Sequence, residues 1–330
     1  MAHYSLAEFV EEMPNFIGAA DGVRSRAHPA IKDDIQRGLV PDVIGVCALS
    51  ATGAPLNGPC MTDQTLKRVS EALGVSATNK SDQLAEAERK LNCRDEKCVL
   101  RTMENVLGVE RVTGEIASRI KVEGPTDVTL LNNVNIDNVM RQWMYAFPDF
   151  FAYNFNMLNY ATHSYHGSRV LNTPDTLATI GFDKLMREGY RKAGCIINSD
   201  VYQGPGEHWM ALFADAQNGT VEFYNSSGNA PAPEWINWMM KTRDMIGPTA
   251  EIVRVTKIRH QQSKSECGPF SLFYVWARLH GVPPSYFATT TVPDQLMFEF
   301  RQHLFGTARK PTRFDYDAFK AEVTIKWENN

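Results

Sequence analysis

The chain contains 330 residues, of which 43% are hydrophobic and 22% are charged, and its 34 lysines and arginines against 38 aspartates and glutamates give a formal net charge of −4. These proportions are close to the globular average and exclude a mainly disordered, collagenous or fibrous chain, while the length suits one large domain or two ordinary ones. No long run of either charge sign is present, so net charge does not indicate a nucleic-acid partner, and any polyanion would need a local basic patch.

The apolar segments are too short for a membrane span. The richest of them, 270–277, falls far below the roughly 20 apolar residues that cross a bilayer, and Arg278 follows it. Residues 1–8 lack the basic and apolar regions of a secretory signal. We therefore expect no membrane partner, and we expect the protein to be synthesised in a reducing cytoplasm. The six cysteines are also too sparse in a chain of this length to form a disulfide scaffold.

The first third of the sequence has the pattern of helices joined by polar loops. Thr62 and Asp63 offer N-caps to a run whose apolar side chains recur near helical spacing, and Gly74 supplies its end. Asp82 can cap a second run, and 99–106 continues the helical pattern. A mainly helical N-terminal region is predicted.

A turn-forming segment, Gly-Pro-Thr-Asp at 124–127, predicts a domain boundary near residue 125. We divide the chain there into a helical N-terminal region, 1–125, and a second domain, 126–330. Beyond the boundary a helix is predicted over 136–147, and the pattern then changes to short, strand-like segments.

The second domain indicates an α+β fold. An Asn218-Gly219 pair between two strand-like segments is a strong hairpin signal. Apolar side chains spaced i, i+3, i+4 and i+7 then predict a helix directly after Cys267 and Gly268. Strands followed by a buried helix are typical of an α+β core. The strand-like segments are 195–198, 209–213, 221–224 and 252–255.

Cys267 lies at the predicted N-terminus of that helix, with Pro269 suited to its first turn. Free amides and the helix macrodipole at this position stabilise a thiolate, which is the nucleophilic form of cysteine. Taken alone, a cysteine is more often a buried small hydrophobe, and that alternative stays open at this point.

His208 begins a predicted strand, and Asn225 ends its partner strand across the Asn-Gly hairpin. Pairing the two strands brings these ends together, so the Asn225 amide oxygen could accept from the imidazole Nδ1–H and fix the tautomer. The alternatives are a structural histidine and an asparagine that caps the following loop.

Gln261 lies six residues before Cys267 in a polar run. Such a run is ordinarily a surface loop. Its side-chain amide could instead join the Cys267 backbone N–H as an oxyanion hole, with Gln262 as the alternative if the register of the loop differs.

The order of His208-Trp209, Asn225, Gln261 and Cys267-Gly268 resembles that of the adenain and Ulp1-like cysteine proteases, over about residues 127–305. Within that group, the chain is most similar to the maturation (SUMO-1-specific-protease-like) proteases of large nucleocytoplasmic DNA viruses. This second likeness is carried by 131–137, 195–200, 223–228 and 294–301.

The resemblance implies an α+β protease core, with a central mixed sheet flanked by helices, and a helical N-terminal region. It implies that Cys267 attacks the scissile carbonyl, His208 transfers the proton, Asn225 orients His208, and Gln261 stabilises the oxyanion. No cofactor or metal is implied. Trp209, Leu130 and Gly268 would contact the substrate.

Two positions depart from the pattern of the SUMO proteases. The third member of the triad is commonly Asp there and is Asn225 here, although Cys-His-Asn is an established variant. A tryptophan that helps to clamp a Gly-Gly tail is replaced by Leu130, so only Trp209 of the clamp is retained. These departures favour another small-residue tail, as in viral polyprotein processing.

The remaining cysteines allow several interpretations. Cys47, Cys60, Cys93 and Cys98 could form a four-thiolate zinc site, but their uneven spacing makes buried thiols or one late-forming disulfide the favoured prediction. The aromatic cluster at 147–160 is most simply core, with a partner-binding face as the minority interpretation.

The predicted function is that of a cysteine endopeptidase that cuts a viral structural polyprotein after a Gly-Gly-type pair during virion maturation. Its partner would be a protein substrate, either a viral polyprotein or a ubiquitin-like tail. It would be located in the virion and in the host cytoplasm. The alternatives are a deSUMOylase or deubiquitinase, and a catalytically silent capsid or scaffold protein of the same fold.

Overall fold

The computed structural model describes residues 33–162, 176–256, 258–306, 312–315 and 317. The chain forms two compact units, of which one holds residues 149–294 and the other holds residues 33–148 together with the chain from 295 onward. The predicted boundary at 125 falls inside the second of these. That 126–330 forms a domain by itself stays a prediction, which expression of this fragment would test. The segment 1–8 lies outside the described residues.

The unit that contains residues 33–148 is mainly helical, as predicted. Its short strands β1 (Val43–Ile44) and β7 (Thr312–Arg313) pair antiparallel. Helix α12 begins at Asp294, and its remaining residues belong to this unit. The elements are α1 (Asp34–Leu39), β1 (Val43–Ile44), α2 (Asp63–Leu73), α3 (Lys80–Leu91), α4 (Glu96–Thr102), α5 (Glu104–Leu107), α6 (Val109–Arg119), α7 (Asn133–Ala146), α12 (Asp294–Leu304) and β7 (Thr312–Arg313).

Local capping explains where two of these helices begin. Thr62 caps α2 by accepting from the Thr65 N–H, and Gly74 ends it at φ +58°, as the sequence predicts. Helix α3 begins earlier than predicted because Asn79 is its cap, accepting from the Asp82 N–H at 2.8 Å. Asp82 therefore lies in the first turn of α3.

Four cysteines of this unit form two disulfides, Cys47–Cys60 and Cys93–Cys98. Their Cα atoms are 5.3 and 5.5 Å apart, within the usual range for a disulfide. The prediction of one disulfide or of buried thiols was therefore wrong, because spacing alone cannot show which residues fold together. Across the described residues, no group of three or more His, Cys, Asp or Glu side chains is placed to hold a metal ion.

The unit of residues 149–294 contains a five-stranded mixed sheet in the order β2-β3-β4-β5-β6. Strands β3, β4 and β5 are antiparallel, and the two outer strands run parallel to their neighbours. The four predicted strands are confirmed, and β2 was missed inside the aromatic cluster. The strands are β2 (Phe150–Ala152), β3 (Lys192–Asn198), β4 (Trp209–Asp215), β5 (Thr220–Tyr224) and β6 (Glu251–Val255).

Helices flank this sheet, which confirms the predicted α+β core with a central mixed sheet. Every residue of α10 (Cys267–Leu279) is buried, and this helix packs on β4. The predicted core role of the aromatic cluster is also observed, since Phe150, Phe151, Tyr153, Phe155 and Tyr160 are all buried. The helices of this unit are α8 (Phe182–Arg187), α9 (Pro233–Ile246), α10 (Cys267–Leu279) and α11 (Pro284–Thr289).

None of the helices in the described ranges combines the length and the apolar character that crossing a bilayer requires.

Candidate active site

The β4–β5 hairpin brings His208 and Asn225 together. In its register Ala211 lies opposite Tyr224, so His208 immediately before β4 and Asn225 immediately after β5 lie at the same end of the hairpin. The Asp215 carboxylate accepts from two backbone N–H groups of the connecting turn, and Gly219 in that turn has φ +65°. The Asn-Gly pair therefore marks the hairpin that the sequence predicts.

The His208 ring donates to Asn225, with 2.8 Å between Nε2 and Oδ1. The Asn225 Oδ1 also accepts from the Ser227 N–H at 3.0 Å, and its Nδ2 donates to the Asn229 carbonyl at 3.1 Å, so the amide orientation is fixed. The proton must then lie on Nε2. The predicted use of Nδ1 was wrong, because sequence does not give the rotamer of the ring.

This arrangement leaves the His208 Nδ1 as the basic nitrogen of the ring. Burial lowers the pKa of His208, and the hydrogen bond to Asn225 opposes part of that effect. The imidazole is therefore neutral at pH 7 and able to accept a proton. Asn225 also caps the turn at Ser227, so the alternative loop-capping role coexists with its contact to the ring.

Cys267 is the first residue of α10, and 4% of it is exposed. Burial raises the pKa of its thiol, while the backbone N–H groups of Trp209 and Gly268 act in the opposite direction. The contact with Trp209 places the sulfur beside the residue that follows His208. The stabilising amides expected at a helix N-terminus are present, but desolvation outweighs them, so the resting group is a thiol.

The side chain of Gln261 is buried and held on both sides. Its Oε1 accepts from the Ser226 hydroxyl at 2.9 Å, and its Nε2 donates to the Ser263 carbonyl at 2.9 Å. Gln262, the alternative, is exposed and donates to the Arg259 carbonyl. Burial in the loop before Cys267 favours Gln261 as the donor that could serve an oxyanion.

Asp294 and Ser226 also contact this loop, and sequence reasoning did not assign either to it. The Asp294 carboxylate accepts from the Gln262 N–H at 3.0 Å and from the Ser263 N–H at 2.8 Å. The Ser226 carbonyl accepts from the His260 and Gln261 N–H groups. No local motif signals these contacts, because they join segments that lie more than 30 residues apart in the sequence.

The predicted substrate-contacting residues lie in different settings. Trp209 is half-buried and packs edge-on against Phe155, with 6.1 Å between ring centroids. Gly268 is buried in the first turn of α10. Leu130 belongs to the unit that contains 33–148, where it is 59% exposed.

A cavity of about 370 Å³ borders the His208–Asn225 pair. Met210 and Trp235 are among the apolar side chains that line it, and Glu207 is the only carboxylate among its described lining residues. The His208 imidazole therefore contacts Asn225 on one side and borders this cavity on another.

The other cysteine outside the disulfides has a structural setting. Cys195 is fully buried in β3, and its sulfur contacts the Asn154 carbonyl at 3.3 Å and the Asn156 Nδ2 at 3.4 Å. These contacts tie β3 to the chain that follows β2. Of the two, Cys267 is the one whose sulfur contacts the backbone N–H of Trp209, the residue after His208.

Comparisons with known proteins identify the family of the chain. The family described as the Ulp1 protease family, C-terminal catalytic domain, matches residues 195–309. A cysteine protease of African swine fever virus is 35% identical over 233 residues, which cover 66% of this chain and 85% of the relative. A SUMO-1 cysteine protease from another isolate of that virus is 34% identical with the same coverage.

A crystal structure of the African swine fever virus protease superimposes with a TM-score of 0.60 at 27% identity, covering 82% of this chain and 98% of the viral protein. The sequence match spans most of that relative, and the fold agrees over nearly all of it. The chain belongs to the Ulp1 family of cysteine proteases.

Proposed function

We propose that this protein is an endopeptidase in which Cys267 is the nucleophile and His208 is the general base. The observation that carries this proposal is the 2.8 Å contact between His208 Nε2 and Asn225 Oδ1, together with the contact of the Cys267 sulfur with the backbone N–H of Trp209, the residue after His208. It leaves Nδ1 as the proton acceptor of the ring. Because the resting thiol and imidazole are both neutral, proton transfer accompanies the attack.

In the first half-reaction, the substrate acylates Cys267. The Cys267 sulfur forms a bond to the scissile carbonyl carbon while His208 takes the thiol proton. The carbonyl oxygen becomes an oxyanion, to which the Gln261 amide and the Cys267 backbone N–H donate. Collapse of the tetrahedral species breaks the C–N bond, and His208 returns the proton to the leaving amine.

The second half-reaction uses the same groups with water. His208 takes a proton from water, whose oxygen attacks the acyl-thioester, and the oxyanion forms again at the same donors. Cys267 leaves and regains the proton. Asn225 keeps the Nε2–H donated throughout, so that the ring accepts only at Nδ1.

For the substrate, we propose a viral structural polyprotein that is cut after a small-residue pair of the Gly-Gly type. Two observations support it: the relatives described above belong to a virus, and Trp209 lies next to His208 with its indole half-buried. Such an enzyme would act in the virion and the host cytoplasm. Trp209, Gly268 and Leu130 are its proposed substrate contacts.

A second candidate is an isopeptidase that removes a ubiquitin-like protein. One viral relative carries the name SUMO-1 cysteine protease, which favours this candidate. Hydrolysis of SUMO and ubiquitin conjugates, measured beside that of Gly-Gly peptides, separates the two functions by their relative specificity constants.

A covalent probe tests the chemistry shared by both. A Gly-Gly peptide ending in a vinyl methyl ester should label the wild-type protein at Cys267, and the label should be absent from Cys267→Ala. Cys195→Ala is the matched control and should still be labelled. A wild-type protein that neither reacts nor cleaves would support the alternative of a silent capsid or scaffold protein.

A further inference from the structure

Asp294 is anchored to the loop that carries Gln261. Its carboxylate, on the first residue of α12, accepts from the Gln262 and Ser263 backbone N–H groups and from the Ser263 hydroxyl at 3.2 Å. The residue is only 8% exposed. Hydrogen bonds to an ionised acceptor are about twice as strong as neutral ones, so the carboxylate fixes this part of the loop firmly.

The loop in turn fixes the Gln261 amide. The Ser263 carbonyl accepts from the Gln261 Nε2, and the Ser226 hydroxyl donates to its Oε1. One hydrogen of the Nε2 group is used by Ser263, which leaves the other available as a donor. The direction of that second N–H therefore depends on where Ser263 is held, and Asp294 holds Ser263.

We propose that Asp294 is a positioning residue for the oxyanion hole: it holds the 261–263 loop so that the free N–H of Gln261 is directed at the developing oxyanion. This role rests on the proposed function of Gln261. Asp294 itself touches neither substrate nor sulfur in this scheme. It acts only through the loop, and its contribution is realised when negative charge forms on the carbonyl oxygen.

Three measurements on Asp294→Ala test the role. Turnover of a Gly-Gly amide requires the oxyanion hole, and so does inhibition by a Gly-Gly aldehyde, in which the thiol adds to the carbonyl and a tetrahedral oxygen forms. Alkylation by iodoacetamide is a displacement at an sp³ carbon and forms no oxyanion. We expect kcat to fall and the aldehyde inhibition constant to rise by about 10- to 100-fold, which is less than the 10²- to 10³-fold cost of losing one donor outright because the Gln261 amide is misplaced rather than removed. The alkylation rate should change less than about twofold.

Two further variants keep the proposal testable if Asp294→Ala folds poorly. Asp294→Asn retains one oxygen that can accept from the two backbone N–H groups, and its amide can donate to the Ser263 hydroxyl. This variant should therefore keep most of the wild-type turnover that Asp294→Ala loses. Asp244→Ala, which removes an exposed carboxylate from α9, is the matched control and should behave as wild type.

A double-mutant cycle distinguishes positioning from general destabilisation. If Asp294 acts through Gln261, then Asp294→Ala should have little further effect on kcat in a Gln261→Ala background. Additive losses, or a parallel fall in alkylation, would overturn the proposal. A wild-type protein without turnover, or a Cys267→Ala variant with normal turnover, would instead overturn the proposed function.

Discussion

Glu222 and Arg278 form a buried ion pair between strand β5 and helix α10. The Arg278 Nε and Nη2 atoms lie 2.7 and 2.8 Å from the Glu222 carboxylate oxygens, and the Tyr274 hydroxyl donates to the same carboxylate at 2.7 Å. Glu222 lies three residues before Asn225, and Arg278 lies on the helix that begins at Cys267. The ion pair thus connects the β4–β5 hairpin, which positions His208, to helix α10, which begins at Cys267.

Replacement of Arg278 by Met should destabilise the protein strongly. The variant leaves the Glu222 carboxylate buried without its counter-charge, which typically costs about 3–5 kcal/mol. Urea denaturation measures the change in the free energy of unfolding. Arg187→Met, which breaks an exposed pair with Asp183, is the control and should cost no more than about 1 kcal/mol. A similar small cost for Arg278→Met would show that the pair does not anchor α10.

The hairpin and the helix after Cys267 could be predicted because their signals are local. An Asn-Gly pair between strand-like segments and an apolar spacing of 3.6 residues depend on neighbouring residues only. The order of the chemical groups along these elements then indicated the family. Prediction of the strand ends therefore identified residues 208 and 225 as neighbours.

Other properties of the site depend on packing and could not be predicted. The ring nitrogen that faces Asn225 follows from the rotamer of His208, and the raised pKa of Cys267 follows mainly from burial. The contact of Asp294 with Ser263 joins residues 31 positions apart. Likewise, the pairing of Cys47 with Cys60 depends on how the helical unit folds.

Asn225→Asp should keep activity but shift its pH dependence. Burial lowers the pKa of His208 in the wild type, whereas a carboxylate at 225 would favour the imidazolium and raise that pKa. The general base is then protonated over a wider range, so the acidic limb of the kcat/KM profile should move to higher pH. Asn225→Ala should instead lose turnover at every pH. An unchanged acidic limb in Asn225→Asp would contradict the direct contact.

Alkylation of Cys267 should become faster as pH rises toward 9. Burial raises the pKa of this thiol, and a neutral His208 does not form an ion pair with it at rest, so the thiolate fraction at pH 7 is small. The second-order rate constant with iodoacetamide, measured from pH 5 to 9.5 with Cys267→Ala as the blank, checks this. A rate already at its plateau by pH 6 would indicate a preformed thiolate–imidazolium pair.

Acid should destabilise the protein through His260. Burial lowers the pKa of this histidine to about 4, below its ordinary value of 6.5. Between pH 6.5 and 4 the unfolded chain therefore binds a proton that the folded chain does not, so the free energy of unfolding falls as pH falls. Above pH 6.5 both states carry the neutral ring, and the effect is absent.

The variant His260→Asn tests that assignment. The His260 Nδ1 accepts from the Val292 N–H, and an asparagine oxygen can occupy a similar position without titrating. The variant should be less stable at pH 7, because the smaller side chain leaves a cavity, but its stability should depend less steeply on pH. Urea midpoints at pH 7, 6, 5 and 4 measure the slope, and an unchanged slope would assign the acid sensitivity elsewhere.

Trp209 should restrict the residues before the scissile bond to small ones. Its indole is half-buried, its ring is held edge-on by Phe155, and its backbone N–H lies against the Cys267 sulfur. A side chain on the substrate that passes this ring would clash with it, whereas glycine has no Cβ. Exclusion of one or two carbons from such a channel is worth about 1–3 kcal/mol, or roughly 10- to 200-fold in the specificity constant.

The specificity constants of matched peptides with Gly-Gly, Gly-Ala and Leu-Leu before the cut measure this restriction. In Trp209→Ala, the Gly-Gly peptide should be cut more slowly, because the ring no longer holds the chain in place, and discrimination against the Gly-Ala peptide should shrink. Trp209→Phe keeps an aromatic ring at this position, so its discrimination against the Gly-Ala peptide should lie between that of the wild type and that of Trp209→Ala. Since Leu130 cannot supply a second aromatic wall, wild-type discrimination should be looser than in a two-tryptophan clamp. Equal rates for all three peptides in the wild type would contradict the restriction by Trp209 and the proposed small-residue substrate. That outcome would not affect the proposed roles of Cys267 and His208.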